Sequence, residues 1–300
     1  MIYFSFYNIN IYSSFDIKDQ VILLSKELGG NQVLKYCPKY SITILPYQEY
    51  SRDTLKNCIR VGYHPLNRRE IWKDQYSTRT IEIDSDEILI KEEFSYTLFI
   101  RDIQNIYSYL RSKICEIIRE CKLKLYPFGF HAALIGRDKS LYLIIGAKGS
   151  GKTSSVLYAY INGWDVYTDE FVLIDKKSIE VLERFPAINP DVEAAFFADC
   201  NLKLHYIIKG YLTGEYKKVI DINLKKCKDL SIENIKKIYI LTDYKNNIMR
   251  HDFINNIFYK NIILGANISN EQYEIIQNLR YNSKMMNIKE FANEIQEATI

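Results

Sequence analysis

Residues 146–153 read Gly146-Ala147-Lys148-Gly149-Ser150-Gly151-Lys152-Thr153 and meet the pattern GxxxxGK[ST] at every fixed position. The preceding run, Leu141-Tyr142-Leu143-Ile144-Ile145, has the character of a buried strand, and Thr153-Ser154-Ser155-Val156-Leu157-Tyr158 opens a helix. Glycines let successive backbone N–H groups curl around an oxyanion without Cβ clashes, and a helix N-terminus adds partial positive charge. In such a P-loop, Lys152 bridges the β- and γ-phosphates of a nucleotide and the Thr153 hydroxyl ligates Mg²⁺. Lys148 occupies a variable position and adds only local positive charge. The competing reading is a chance match in a glycine-rich turn; the flanking strand and helix argue against it.

The second chemical feature is Trp164-Asp165-Val166-Tyr167-Thr168-Asp169-Glu170-Phe171-Val172-Leu173-Ile174, which reads as one strand carrying two adjacent acids near its centre. Side chains alternate along a strand, so Asp169 and Glu170 are expected to point in opposite or staggered directions. One can then face a metal while its neighbour faces an acceptor. Phosphoryl transfer needs a carboxylate near Mg²⁺ and a group that takes the acceptor proton. A solvated acid pair at a turn is the plain alternative. Asp165 is a rival nearer the strand's start, and Asp175, at a hairpin turn, is discounted.

These residues need elements to hold them. Strands are expected over 2–12, 42–46, 79–100 (a hairpin turning at Ser85-Asp86, then a third strand at Tyr96–Ile100), 128–136, 141–146, 165–175, 180–184, 217–223 and 235–241. Helices are expected over 17–28 (stopped by Gly29-Gly30), 103–121, 152–162 (closed by Gly163) and 191–199, with two more over 269–299. In 103–121, Ile103, Ile106, Leu110, Ile114, Ile117 and Cys121 recur at helical steps. The character changes near residue 122. The expected class is α/β, with a β-rich amino-terminal region at 1–122 and a nucleotide-binding domain with carboxy-terminal helices at 123–300.

Composition narrows the function. Of 300 residues, 47% are hydrophobic and 26% charged, with only 12 Gly and 6 Pro, so a packed core is expected and disorder is not. A net charge of +3 is too balanced for a nucleic-acid binder. The 25 Tyr and 14 Phe read mainly as the codon bias of an AT-rich genome. The 6 cysteines (37, 58, 115, 121, 200 and 227) form no CxxC pair or metal-ligand cluster. They read as free thiols in a reducing cytoplasm. No apolar run is long enough for a membrane helix, and the start, Met1-Ile2-Tyr3-Phe4, lacks the basic and apolar regions of a signal peptide.

The run from Gly129-Phe130-His131-Ala132-Ala133 through the P-loop to Tyr167-Thr168-Asp169-Glu170 resembles the HPr kinase/phosphorylase-type fold, which is related to ATP-dependent phosphoenolpyruvate carboxykinase. Three features match: a His-bearing strand before the P-loop strand, a helix ending in Gly163-Trp164, and an acid pair on the next strand. Tyr3-Phe4-Ser5-Phe6-Tyr7-Asn8-Ile9-Asn10-Ile11-Tyr12-Ser13, Glu183-Arg184-Phe185-Pro186 and Ile235-Lys236-Lys237-Ile238-Tyr239-Ile240-Leu241 look like segments of the family's smaller kinase relatives. Those relatives include kinases that phosphorylate a Ser of a ribosomally made peptide, lasso peptides among them. The resemblance implies an α/β P-loop kinase domain that binds ATP and Mg²⁺ through the 146–153 loop, with Thr153 and Glu170 on the metal side. It implies Asp169 as general base. The family commonly has Asp-Asp where this chain has Asp169-Glu170. The resemblance also implies His131 near the transferred phosphate and Arg184 on the transition-state charge. For His131 a core histidine, and for Arg184 a solvent-facing hairpin residue, remain equal readings.

The expected activity is transfer of the γ-phosphate of ATP to a hydroxyl of a peptide or small protein, without nucleic-acid or membrane partners. The bifunctional HPr enzymes' carboxy-terminal signature is absent, so HPr itself is not the expected acceptor. Tyr63-His64-Pro65-Leu66-Asn67-Arg68-Arg69 is a basic candidate for acceptor recognition, against the plain reading of a solvated loop. The alternatives are a small-molecule or carboxykinase-like enzyme and a nucleotide-binding module without transfer. The acceptor's identity and the oligomeric state, a homo-oligomer included, are not read from the sequence.

Overall fold

The computed structural model of the chain describes all residues except 7, 29–37, 65–68, 84–86, 210–214, 227–229, 243–250, 265–268 and 299–300. The chain is mixed α/β and divides into two units, Met1–Ile117 with Ile208–Tyr216, and Ile118–Ile207 with Lys217–Ile300. A boundary drawn from composition does not reveal the short excursion at 208–216, which is too brief to change the local character.

In the first unit, β1 (Ile2–Phe6) and β2 (Ile9–Ser13) are an antiparallel pair rather than the single strand expected over 2–12. The chain reverses at Asn8, whose φ of 64° is a left-handed conformation that Asn tolerates. Helix α1 (Lys18–Glu27) carries it over to β3 (Tyr40–Pro46), parallel to β2. A parallel pair requires such a crossover. Strands β4 (Cys58–His64), β5 (Arg69–Asp74), β6 (Thr80–Ile83), β7 (Glu87–Glu92) and β8 (Ser95–Ile100) form an antiparallel meander. The sheet order is β1-β2-β3-β8-β7-β6-β5-β4. The expected hairpin is therefore β6–β7 with β8 as its third strand. Its Ser85-Asp86 turn, the Gly29-Gly30 helix stop and residues 65–68 of the basic segment lie outside the described residues.

Helix α2 (Ile106–Leu123) buries Ile106, Leu110, Ile114, Ile117 and Cys121, most of the expected stripe. The Lys113 and Lys91 ammonium groups lie 5.8 and 5.4 Å from the centroid of the Tyr96 ring, and Lys91 bonds Glu116 at 2.9 Å. These contacts set α2 across the sheet face that carries Tyr96. Glu27 at the end of α1 is buried and accepts from the Tyr107 hydroxyl and Arg111 Nε, each at 2.6 Å.

The second unit begins with β9 (Phe128–Phe130), β10 (Ala133–Arg137) and β11 (Ser140–Gly146), followed by α3 (Lys152–Ile161). Next come β12 (Asp165–Thr168), β13 (Phe171–Asp175), β14 (Ser178–Leu182), β15 (Ala187–Ile188) and α4 (Pro190–Phe197). Strands β16 (Leu204–Lys209) and β17 (Tyr216–Ile220) pair in a small sheet ordered β15-β17-β16. The end comprises β18 (Ile235–Leu241), α5 (His251–Lys260), β19 (Ile262–Leu264), α6 (Asn270–Tyr281), β20 (Ser283–Met286) and α7 (Ile288–Glu297). Strand β20, too short to show a period, separates the two helices expected at the end.

Two sheets organise this unit. One has the order β12-β10-β11-β18-β20, with β11, β18 and β20 parallel; the other is the antiparallel β14-β13-β9-β19. The runs 128–136 and 165–175, each expected as one strand, are each two strands in different sheets. β9 pairs with β13 (Phe130 opposite Val172), and β10 pairs with β12 (Leu134 opposite Thr168). The chain thus crosses between sheets twice, at 131–132 and at 169–170. Phe128, Phe130, Leu134, Leu143, Ile145, Val172, Ile174 and Phe258 are fully buried in the core that joins these elements.

Among the described cysteines, Cys121 is disulfide-bonded, which corrects the expectation of free thiols throughout. No helix among the described residues is long and apolar enough to cross a membrane.

Candidate active site

The 146–153 loop leaves β11 and enters α3. Gly149 and Gly151 have φ of +84° and +97°, values that side chains rarely adopt. Gly151 is the N-cap of α3 and supplies no side-chain cap, and Ser155 N is bonded to Gly151 O at 2.9 Å. The N–H groups of the first turn are therefore left for an external acceptor. The Ser150 Oγ is buried without a hydrogen-bond partner. Helix α3 closes on Gly163, φ +79°, with Trp164 N bonded to Ala159 O and Gly163 N to Tyr160 O, both at 3.0 Å. That is the glycine-terminated end expected from the sequence.

Lys152 folds back on the loop. Its ammonium donates to Gly146 O at 2.7 Å and reaches Ala147 O at 3.5 Å. Burial holds its pKa below the ordinary range, with Asp169 and Glu170 opposing that shift. A charge partly stripped of water binds an incoming anion more strongly than a solvated one.

The acid pair lies at the break between β12 and β13, not at the centre of one strand as expected. Thr168 makes the break: its hydroxyl accepts from Glu170 N at 3.0 Å and donates to Leu182 O at 2.6 Å. This Ser/Thr-type turn interrupts the ladder. It was readable in principle, because a Thr two residues before the end of an acid pair is its signature, yet the surrounding apolar run masked it.

The break sends the two acids to different partners. Asp169 is half-buried, and its Oδ2 accepts from Thr153 Oγ1 at 2.8 Å. Its Oδ1 is buried and lacks a hydrogen-bond partner. Burial pushes the Asp169 carboxyl up to about 6, against the lowering effect of the Thr153 bond. Glu170 instead meets Arg184 at 2.5 Å. Arg184 therefore lies beside the acid pair, not on an isolated hairpin, and its side chain is only 18% exposed.

His131 stands at the other crossover. Its Nδ1 lies 3.0 Å from Glu170 O. A carbonyl can only accept, so the proton sits on Nδ1 and the neutral ring keeps a lone pair on Nε2. Burial lowers its pKa, opposed by Glu170. His131 thus ties the two crossovers together, which is a structural role. The loop and Lys152, Thr153, Asp169, Glu170, His131 and Arg184 fall in one neighbourhood. Asp165, the rival acid, pairs with Lys225 at 3.5 Å on the far end of β12.

The donors near Thr153 are hard oxygens, the kind Mg²⁺ selects. Among the described residues no group of three or more His, Cys, Asp or Glu could hold a metal ion by itself. A cation here would complete its shell with phosphate oxygens and water, as Mg²⁺ at nucleotide phosphates does. The Thr153 hydroxyl donates its proton to Asp169 Oδ2, which leaves its oxygen lone pairs for such an ion.

No protein-family model matches the chain, and no curated protein matches it.

Proposed function

We propose that the chain is a Mg²⁺/ATP-dependent kinase of the HPr kinase-like type that phosphorylates a hydroxyl, Ser in the first instance, on a peptide or small protein. The observation that carries this reading is the 2.8 Å bond joining Thr153 to a half-buried Asp169 whose carboxyl is pushed up to about 6. A phosphate loop alone suits any nucleotide binder. A carboxylate poised near neutrality beside it is what proton abstraction from an alcohol requires.

The amides of the 146–153 loop would receive the β- and γ-phosphates, and Lys152 would exchange Gly146 O for phosphate oxygens. Mg²⁺, held by Thr153 with Glu170 reaching it through water, would neutralise phosphate charge when bound. Asp169 would take the acceptor's proton as its oxygen bonds to the γ-phosphorus and the bond to the β-phosphate oxygen breaks, releasing ADP. Arg184, held by Glu170, would meet charge on the transferring group. His131 would keep the two crossovers in register and offer Nε2 as an acceptor. The first unit would recognise the peptide.

The Thr153–Asp169 bond also favours a second reading, in which Asp169 steadies the metal side and the acceptor proton leaves by another route. Asp169→Asn would then weaken Mg²⁺ dependence rather than remove the acid limb of the rate profile.

The test is transfer of labelled γ-phosphate from ATP to a library of Ser-containing peptides, read as a gain of about 80 Da. Lys152→Ala and Asp169→Asn are expected to abolish transfer, with nucleotide binding kept in the second. Phosphorylation of free hydroxy acids alone would favour a small-molecule kinase. Nucleotide binding with no phosphorylated product would favour a non-catalytic module.

A further inference from the structure

We infer that α7 is a brace for the 146–153 loop, with Ile288 as the positioning residue that fixes the entry to α3; this rests on the proposed nucleotide site. The three parallel strands β11, β18 and β20 end level, with Gly146 opposite Leu241 and Leu241 opposite Met286. Thr242 N is bonded to Met286 O at 3.2 Å, extending the alignment by one residue. The first residues of α7 therefore emerge beside the start of the loop.

Ile288 lies over Gly151. A Cβ at Gly151 would stand 3.1 Å from Ile288 Cδ1, whereas one at Gly149 would meet nothing within 4 Å among the described residues. Of the loop's two left-handed glycines, Gly151 is thus the one a side chain holds. Glycine has the widest backbone freedom of any residue, and ordering one residue costs a free energy equivalent to roughly tenfold in affinity. A loop whose amides must converge on phosphate gains from being ordered beforehand.

The brace is itself firmly seated. Phe291 and Ile295 of α7 are fully buried. The Asn287 side chain caps the helix by accepting from Lys289 N at 2.9 Å and Glu290 N at 3.0 Å. Glu294 accepts from Lys237 at 2.6 Å, Lys284 at 2.8 Å and the Tyr239 hydroxyl at 2.9 Å. Helix α7 is pinned at both ends, with Ile288 at the loop end.

The experiment compares Ile288→Ala, Ile288→Val and Ile295→Val in the full chain. It measures amide hydrogen exchange of residues 147–153, ATP binding by calorimetry with Mg²⁺, and the melting temperature. Ile288→Ala is expected to speed exchange in the loop and weaken ATP about tenfold, with Val largely rescuing both. Ile295→Val, in the buried part of α7, is expected to lower the melting temperature without moving either readout. Equal loop exchange in Ile288→Ala and wild type, or equal acceleration in Ile295→Val, overturns the inference. Failure of the wild type to bind ATP would remove the nucleotide site instead, and loop exchange would still decide the role of Ile288.

Discussion

Thr153 and Asp169 meet at 2.8 Å, hydroxyl to carboxylate, across the gap between the first turn of α3 and the break separating β12 from β13. The bond joins an element read easily from a motif to one whose geometry depends on which sheet each flanking strand enters. It also leaves the second oxygen of Asp169 buried and unpartnered. An ionised carboxylate in that setting is costly, which is why its pKa rises to about 6.

Transfer should accordingly follow the ionisation of Asp169. Its folded pKa lies above the ordinary 3.8, so the folded state favours the protonated acid. The rate is expected to rise with pH through about 6 and then level off. The same shift makes Asp169 a burden on stability that is full above about 6 and fades as pH falls from there towards the ordinary 3.8. Asp169→Asn should therefore raise the melting temperature at pH 7, by about 1–3 kcal/mol of stability. The gain should vanish near pH 4. An unchanged melting temperature at pH 7 would count against the burial of an ionised group.

Gly146→Ala tests how closely β11 and β18 converge under the loop. The new Cβ would lie 2.7 Å from Leu241 O and press on Ser150 Oγ. A backbone oxygen within a parallel ladder cannot yield without parting the strands. A loss of about 1–3 kcal/mol is expected, with ATP no longer raising the melting point. Differential scanning fluorimetry with and without Mg²⁺ and ATP reads both.

Glu294 should give the second unit an acid-sensitive anchor. Burial alone would raise its pKa; hydrogen bonds from Lys237, Lys284 and Tyr239 outweigh that and hold it at about 2, below the ordinary 4.5. A carboxyl depressed in the folded state stabilises above its unfolded pKa, and that contribution is lost as pH falls from 4.5 towards 2. Its side chain is 24% exposed, so solvent screens the cluster and about 1–2 kcal/mol is expected. Glu294→Gln should lower the melting temperature at pH 7 and approach wild type near pH 2, as thermal melts across pH would reveal.

In the first unit, Arg111 and Glu27 are a buried ion pair with side chains 3% and 0% exposed. Removing one partner strands the other charge. Glu27→Ala should cost about 3–5 kcal/mol in urea melts, and Glu27→Leu combined with Arg111→Met should recover most of it. Equal stability of the single and double variants would mean the pair contributes through packing alone.

The sequence by itself determined the loop and the strand and helix on either side. It also gave the apolar stripe of α2 and the Gly163 stop of α3. Each is fixed within a few residues by backbone sterics or helical period, so local sequence suffices. It named Asp169, Glu170, His131 and Arg184 but could not arrange them. The apolar runs at 128–136 and 165–175 look continuous because both halves of each are buried, and burial does not say in which sheet. Only the pairing of β9 with β13 and β10 with β12 opened the two breaks that bring His131 to Glu170 and Asp169 to Thr153. Ile288 over Gly151 was likewise invisible, being a contact across 137 positions of chain. Strand partners are chosen by the whole core together, and a site built at the parting of two sheets inherits its geometry from that choice.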